Sequence, residues 1–319
     1  MSGSAAEHLA VERKALMVGK WANLFMAAAG LLAAWASRSD AMLVDGLYSA
    51  VNFLSAIAAA RIGARVGLPA TRSRPWGHDF DEVLYVTFRS LILIGVLIFA
   101  AVISATKIWT FFSGGSVPEL VFGPIAVYVV VIVSICLALA VIFHRAYRRT
   151  GKRSAILRTE ARAAMIDGAL SLGSGAALLS LPLLEDTALG PYVPIGDAVV
   201  VLVLILAIIW QPLSAFRTTL ADLAGVSAPS STYAKVSRAA RDLAREKGYK
   251  LHRTAVLQAG RMHWVGVYMD PGRPVLAVDI DAFRDLLAAR LEDAIGPARV
   301  EIMLTARALT RPAQEPDKS

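Results

Sequence analysis

Six times along the chain a run of about 20 mainly apolar residues passes with few charges, the length a helix needs to cross the hydrocarbon core of a bilayer. No other feature limits the fold so tightly. Within hydrocarbon every backbone N–H and C=O must find its partner inside the segment or in a closed barrel, and runs of this length answer to helices. The spans are expected near residues 15–36, 41–62, 83–111, 120–143, 161–183 and 192–214. The first begins too late and runs too far for a cleaved signal peptide, so it is read as a permanent helix. An integral membrane protein is expected, in keeping with a chain of 319 residues that is 56% hydrophobic.

The cations give an orientation, because Lys and Arg near span ends are retained on the cytoplasmic side. Arg13 and Lys14 precede the first span; Arg61, Arg65, Arg72 and Arg74 follow the second; Arg145, Arg148, Arg149, Lys152, Arg153 and Arg158 separate the fourth from the fifth. The opposite connections hold only Arg38. Both termini are therefore expected in the cytoplasm, with the protein in the inner or plasma membrane. The net charge of +8 then follows from topology and from contact with anionic head groups, and no nucleic-acid partner is needed to explain it. Cys136, the one cysteine, has no internal disulfide partner and is expected to pack against lipid or a neighbouring helix.

After the sixth span the composition turns small and polar at AGVSAPSSTYAK, which marks a linker over 215–230. Residues 231–247 place Val236, Ala239, Ala240 and Leu243 at helical spacing, with Ser230 or Ser231 as the expected cap. LHRTAVLQ and HWVGVYM alternate about a short AGRM turn, the pattern of a hairpin. A second helix over 280–295 carries Phe283, Leu286, Leu287 and Leu291, and ARVEIMLTA supplies a last strand. The expected architecture is thus a short segment 1–14, an all-α six-helix membrane domain over 15–214, and a small α+β domain of αββαβ order over 231–308. The polar tail 309–319 is expected to be disordered.

Four polar residues interrupt the second span. Asp45, Tyr48, Ser49 and Asn52 are spaced i, i+3, i+4, i+7 and share one helix face. A carboxylate facing lipid costs roughly 2.5–3.5 kcal/mol on the lenient insertion scale, so this stripe must face protein or water. Glu160, Asp167, Ser171 and Ser174 form a similar face on the fifth span, and Asn52 and Asp167 both fall in the middle third of the bilayer by residue count. One shared site is expected, with oxygen ligands from Asp45, Tyr48, Asn52 and Asp167 around a divalent cation. The serines are expected instead to hydrogen-bond neighbouring helices. His78, Asp79, Asp81 and Glu82 lie where the third span begins; they either draw cations to a cytoplasmic entrance or, in the case of Asp79 and Asp81, favour the helix start through its dipole. Arg89, about two turns into the third span, is expected to snorkel to the interface, with a buried ion pair as the second reading, and Lys20 is expected to snorkel likewise. Trp21 and Trp35 suit interfacial anchors.

These residues carry a resemblance. Six spans with cytoplasmic termini, LVDGLYSAVN in the second, RPWGHDFDE after it, TEARAAMID opening the fifth and an αββαβ tail together resemble the cation diffusion facilitator family. Pro75, Gly77, His78 and Glu82 match that family's P-x-G-H-x-x-x-E junction, and Asp197 opens the sixth span after a proline, as the family does. The resemblance implies a homodimeric carrier that exports a divalent metal in exchange for protons, with a ferredoxin-like cytoplasmic domain that helps dimerise.

The ligand pattern departs from the family's. Where its members place His or Asp followed four residues later by Asp on the second and fifth spans, this chain has Tyr48 and Asn52, then Ala163 and Asp167. Asp45 stands one turn from Tyr48 as a substitute carboxylate. An all-oxygen set suits manganese or ferrous iron better than zinc. No cofactor other than the transported ion, of the manganese, iron or zinc class, is expected. Erosion of the ligand set supports a rival reading, a transport-deficient membrane scaffold or regulatory partner. An enzyme is not expected, since the soluble region has no nucleophile and base pair, no glycine-rich phosphate loop and no CxxC pair, and His252 and His263 read as ordinary surface or strand-end residues.

Overall fold

A computed structural model of the chain describes residues 2–63, 72, 77–150, 154–260 and 262–307. Pro75 of the junction motif, the cations Arg65, Arg74, Lys152 and Arg153, and the tail 309–319 lie outside the described residues. The membrane helices are α1 (Ser2–Ser37), α2 (Asp40–Gly63), α3 (Asp79–Phe112), α4 (Phe122–Arg149) and α5 (Ala155–Ser180), then α6 (Gly196–Ile208) and α7 (Trp210–Leu223). Two short 3₁₀ turns, Leu181–Leu184 and Gly190–Ile195, join α5 to α6. Among the described residues six segments are long and apolar enough to span a bilayer: Ala10–Ser37, Asp40–Ile62, Asp79–Phe112, Phe122–Arg149, Ile156–Leu184 and Gly190–Leu223. The protein is an integral membrane protein with a small α+β domain after its helices.

The chain divides into two compact units, residues 1–61 with 88–214 and residues 62–87 with 215–319. In the first, α4 presents Ile125, Tyr128, Ile132, Cys136, Leu139 and Phe143 at helical spacing to Leu157, Ala161, Ala164 and Leu178 of α5 and to Met26 and Ala33 of α1. Cys136 is buried in this helix packing. Without a hydrophobic force between helices in lipid, close approach depends on small residues. A Cβ on Gly175 of α5 would run into the Val129 side chain of α4, and one on Gly30 of α1 would meet Gly46 Cα of α2 at 2.5 Å. Gly30 and Gly46 therefore let α1 and α2 touch along their backbones beside Asp45. Exposed Trp109, Val130 and Leu206 give the outer surface an apolar character suited to acyl chains.

The turn from α1 to α2 is fixed by a carboxylate from α6. Arg38 adopts a left-handed conformation with φ of 57°, so the chain reverses within two residues. Asp197, fully buried, accepts from Ser39 Oγ at 2.7 Å, from the Asp40 amide at 2.7 Å and from the Ala41 amide at 3.3 Å. It thus satisfies amides at the α2 N-terminus, where the helix dipole favours a negative charge. Lys107 of α3 completes the junction, with Nζ 3.2 Å from Asp197 Oδ2 and 3.3 Å from Asp40 Oδ2.

The second unit contains α8 (Ser230–Glu246), β1 (Lys250–Ala259), β2 (Met262–Asp270), α9 (Ala277–Ile295) and β3 (Ala298–Leu304). The αββαβ order matches expectation. The sheet order is β1-β2-β3, with β1 antiparallel to β2 and β2 parallel to β3, so α9 serves as the crossover. Val265, Val267 and Met269 alternate inward along β2 and meet Val236, Ala240 and Leu243 of α8 and Phe283, Leu287 and Leu291 of α9. One cap differs from expectation: Pro229 is the N-cap of α8, and neither Ser230 nor Ser231 supplies a side-chain cap, because both already belong to the helix.

Candidate functional site

The polar stripe of α2 faces the interior of the helical unit. Asp45, Tyr48 and Asn52 are half-buried on one side of the helix, while Leu54 on another side is exposed. Asp45 Oδ2 accepts from Tyr128 Oη of α4 at 2.6 Å and from Ser171 Oγ of α5 at 3.4 Å. The carboxylate is therefore clamped between three helices. Ser171 does what intramembrane serines commonly do, joining one helix to another, while Ser174 Oγ returns to the Ser171 carbonyl at 3.2 Å.

Asp167, half-buried on α5, lies within electrostatic range of Asp45, of Glu160 on its own helix and of Arg89 on α3. Tyr48 is within range of Asp167, Arg89 and Asp45. Asn52 is drawn into the same group by Arg89, whose Nη2 donates to Asn52 Oδ1 at 3.0 Å. Faces of α2, α3 and α5 thus contribute to one polar cluster. Arg89 turns into the bundle rather than snorkelling outward, nearer the second of its two readings: Asn52 supplies an acceptor across the bundle, and Asp167 and Glu160 lie within electrostatic range.

Among the described residues no group of three His, Cys, Asp or Glu side chains is placed to hold a metal. Asp45 and Asp167 are two carboxylates, with the Tyr48 hydroxyl and the Glu160 carboxylate within electrostatic range, the Tyr128 and Ser171 hydroxyls bonded to Asp45, and the Asn52 amide joined to the group through Arg89. A cation held by these side chains would meet hard oxygen donors and no imidazole, with the Cys136 thiol of α4 also within electrostatic range of Asp167 and Asp45.

A family model described as the cation efflux transmembrane domain matches residues 16–224, more than half of the chain. The chain belongs to the cation diffusion facilitator family. The manganese efflux system protein MneP of Bacillus subtilis is a curated relative, 27% identical over 115 residues. That match covers 36% of this chain and 38% of the relative, so the chain spans less than two thirds of the relative's length.

The facilitator's remaining sequence-predicted residues sit in the second unit. His78 Nδ1 and Asp81 Oδ2 lie 3.0 Å apart, and Asp79 is buried with its carboxylate 3.7 Å from Arg299 Nη1. Glu82 packs beside Gly260, where a Cβ would lie 3.0 Å from Glu82 Oε2. Arg299 also stacks over the Trp264 ring at 4.7 Å. Asp79, Asp81 and Glu82 do occupy the first turn of α3, the place where the dipole favours acids. His252 and His263 stand on separate strands, β1 and β2, and are not paired in register.

Sequence reasoning missed Tyr128 of the candidate site and Lys107 of the α1–α2 turn, and it placed Arg89 first at the interface. Tyr128 lies in an otherwise apolar stretch of α4, and only its hydroxyl marks it. Arg89 was visible as an intramembrane charge, but its partner Asn52 lies 37 residues away on another helix, so local spacing does not name it. Lys107, near the far end of α3, had no partner within one turn in sequence.

Proposed function

We propose that this facilitator exports a divalent metal cation from the cytoplasm in exchange for protons, holding the ion between α2 and α5. Asp45, Tyr48, Asn52 and Asp167 would supply the oxygens. The observation that carries the reading is the grouping of Asp45, Tyr48 and Asp167, with Asn52 joined through Arg89, inside the helical unit of a cation diffusion facilitator, where a carboxylate is costly without a use. Metal and proton would compete for the Asp167 oxygens, which couples their opposite movements. Manganese or ferrous iron fits an all-oxygen set better than zinc, and the name of the MneP relative agrees with manganese.

The rest of the reading follows the family and the charge distribution: a homodimer in the inner or plasma membrane, with both termini and the α+β domain in the cytoplasm. His78, Asp79, Asp81 and Glu82 then lie at the cytoplasmic end of α3, and their contacts favour a structural part in the second unit over an open entrance.

Transport across manganese, iron, cobalt, nickel, zinc and cadmium in proteoliposomes with an imposed pH gradient tests the function. Manganese-driven proton flux is expected in the native protein, with flux lost in Asp167→Ala while the protein stays folded. Unchanged flux in that variant would remove Asp167 from the mechanism, and a native protein that moves no metal while retaining a membrane-protein partner would support the scaffold reading instead.

A further inference from the structure

We infer that the Arg89 guanidinium is a tethered cation that rests in the ion pathway when no metal is bound, and that metal entry displaces it from Asn52 toward Glu160. The inference rests on the export site proposed above and adds a competitor to it. Arg89 Nη2 already uses the Asn52 carbonyl oxygen, one of the oxygens a metal would need. A guanidinium carries only donors and keeps its charge at any pH a protein meets, so Arg89 cannot join the ligand set; it can only compete with a cation for the same oxygens.

The local charges show where it can go. Glu160 and Asp167 both feel Arg89, and they stand seven residues apart on α5, hence on one face of that helix about two turns apart. The guanidinium is also lightly held: its Nε is buried and meets no hydrogen-bond acceptor among the described residues. A side chain with an unmet donor and a carboxylate within electrostatic range can exchange one acceptor for another at small cost. In the resting arrangement Arg89 offsets part of the negative charge of Asp167 and Glu160. When a divalent ion enters, repulsion from it and attraction by Glu160 both push the guanidinium the same way.

Manganese binding to full-length protein in nanodiscs, followed by calorimetry, tests the inference. Arg89→Gln keeps a polar side chain near Asn52 but removes the charge, and is expected to bind manganese about tenfold more tightly, as loss of a nearby like charge predicts. Glu160→Gln is expected to weaken binding several-fold in the native background and to have little effect once Arg89 is Gln, the non-additivity that marks a coupled pair. Equal or weaker binding by Arg89→Gln overturns the inference and leaves the site standing. Should that variant fail to fold, Glu160→Gln decides alone: unchanged affinity overturns the inference. Absence of manganese binding in the native protein and both variants removes the site and the inference together.

Discussion

Asp45 is held by a single strong donor, and this bears on how firm the candidate site is. The Tyr128 hydroxyl approaches to 2.6 Å, whereas Ser171 is at 3.4 Å. Hydrogen bonds to charged groups contribute about 1.5–3 kcal/mol, so Tyr128→Phe is expected to destabilise the helical unit by about that amount, read as a lower thermal midpoint in detergent. A midpoint within error of native would mean that Tyr128 merely lies beside the carboxylate. The same residues show what a sequence discloses at this scale. Asp45, Tyr48 and Asn52 fall on one face by the helical period, and their polarity in an apolar span states that the face is turned inward. Tyr128 and Arg89 gave no such sign, because the partner of each lies far away in sequence, 83 positions for Tyr128 and 37 for Arg89.

Between elements, the joints are made by small residues and by one buried acid. Gly30 and Gly46 allow the backbones of α1 and α2 to touch, and Asp197 ties the α2 N-terminus to α6 and, through Lys107, to α3. Removing one partner of a buried, hydrogen-bonded charge pair costs about 3–5 kcal/mol, because the groups left behind lose solvation and partner together. Asp197→Ala is therefore expected to lower stability by about that much, while Lys107 keeps Asp40 as a second partner and so limits the loss. A change below about 1 kcal/mol in denaturant or thermal unfolding would show that water replaces the carboxylate freely. The sequence marked Asp197 as a helix opener after a proline. It did not mark the helix being capped as α2, since that contact joins residues about 157 positions apart.

At the scale of the whole chain, the two units differ in what holds them together, and the second carries a core sufficient to be tested alone. The span count of the membrane helices and the αββαβ order of the second unit were legible because both are written in local periodicity, 3.6 for the helices and 2 for the strands. The grouping of residues 62–87 with 215–319 was not, because nothing local to either segment announces the other. The buried cluster of this unit runs from Ala228 to Val300, draws on both helices and all three strands, and includes none of the described residues of 62–87. A fragment of residues 226–307 is accordingly expected to fold on its own in water and to unfold in a single cooperative transition. Leu287 is fully buried between α9 and the sheet. Leu287→Ala in that fragment is expected to cost about 2–5 kcal/mol, from lost transfer free energy and the cavity it leaves. A fragment that shows strand and helix signals by circular dichroism but no cooperative melt would mean that the core needs the membrane unit, or a second copy, to close.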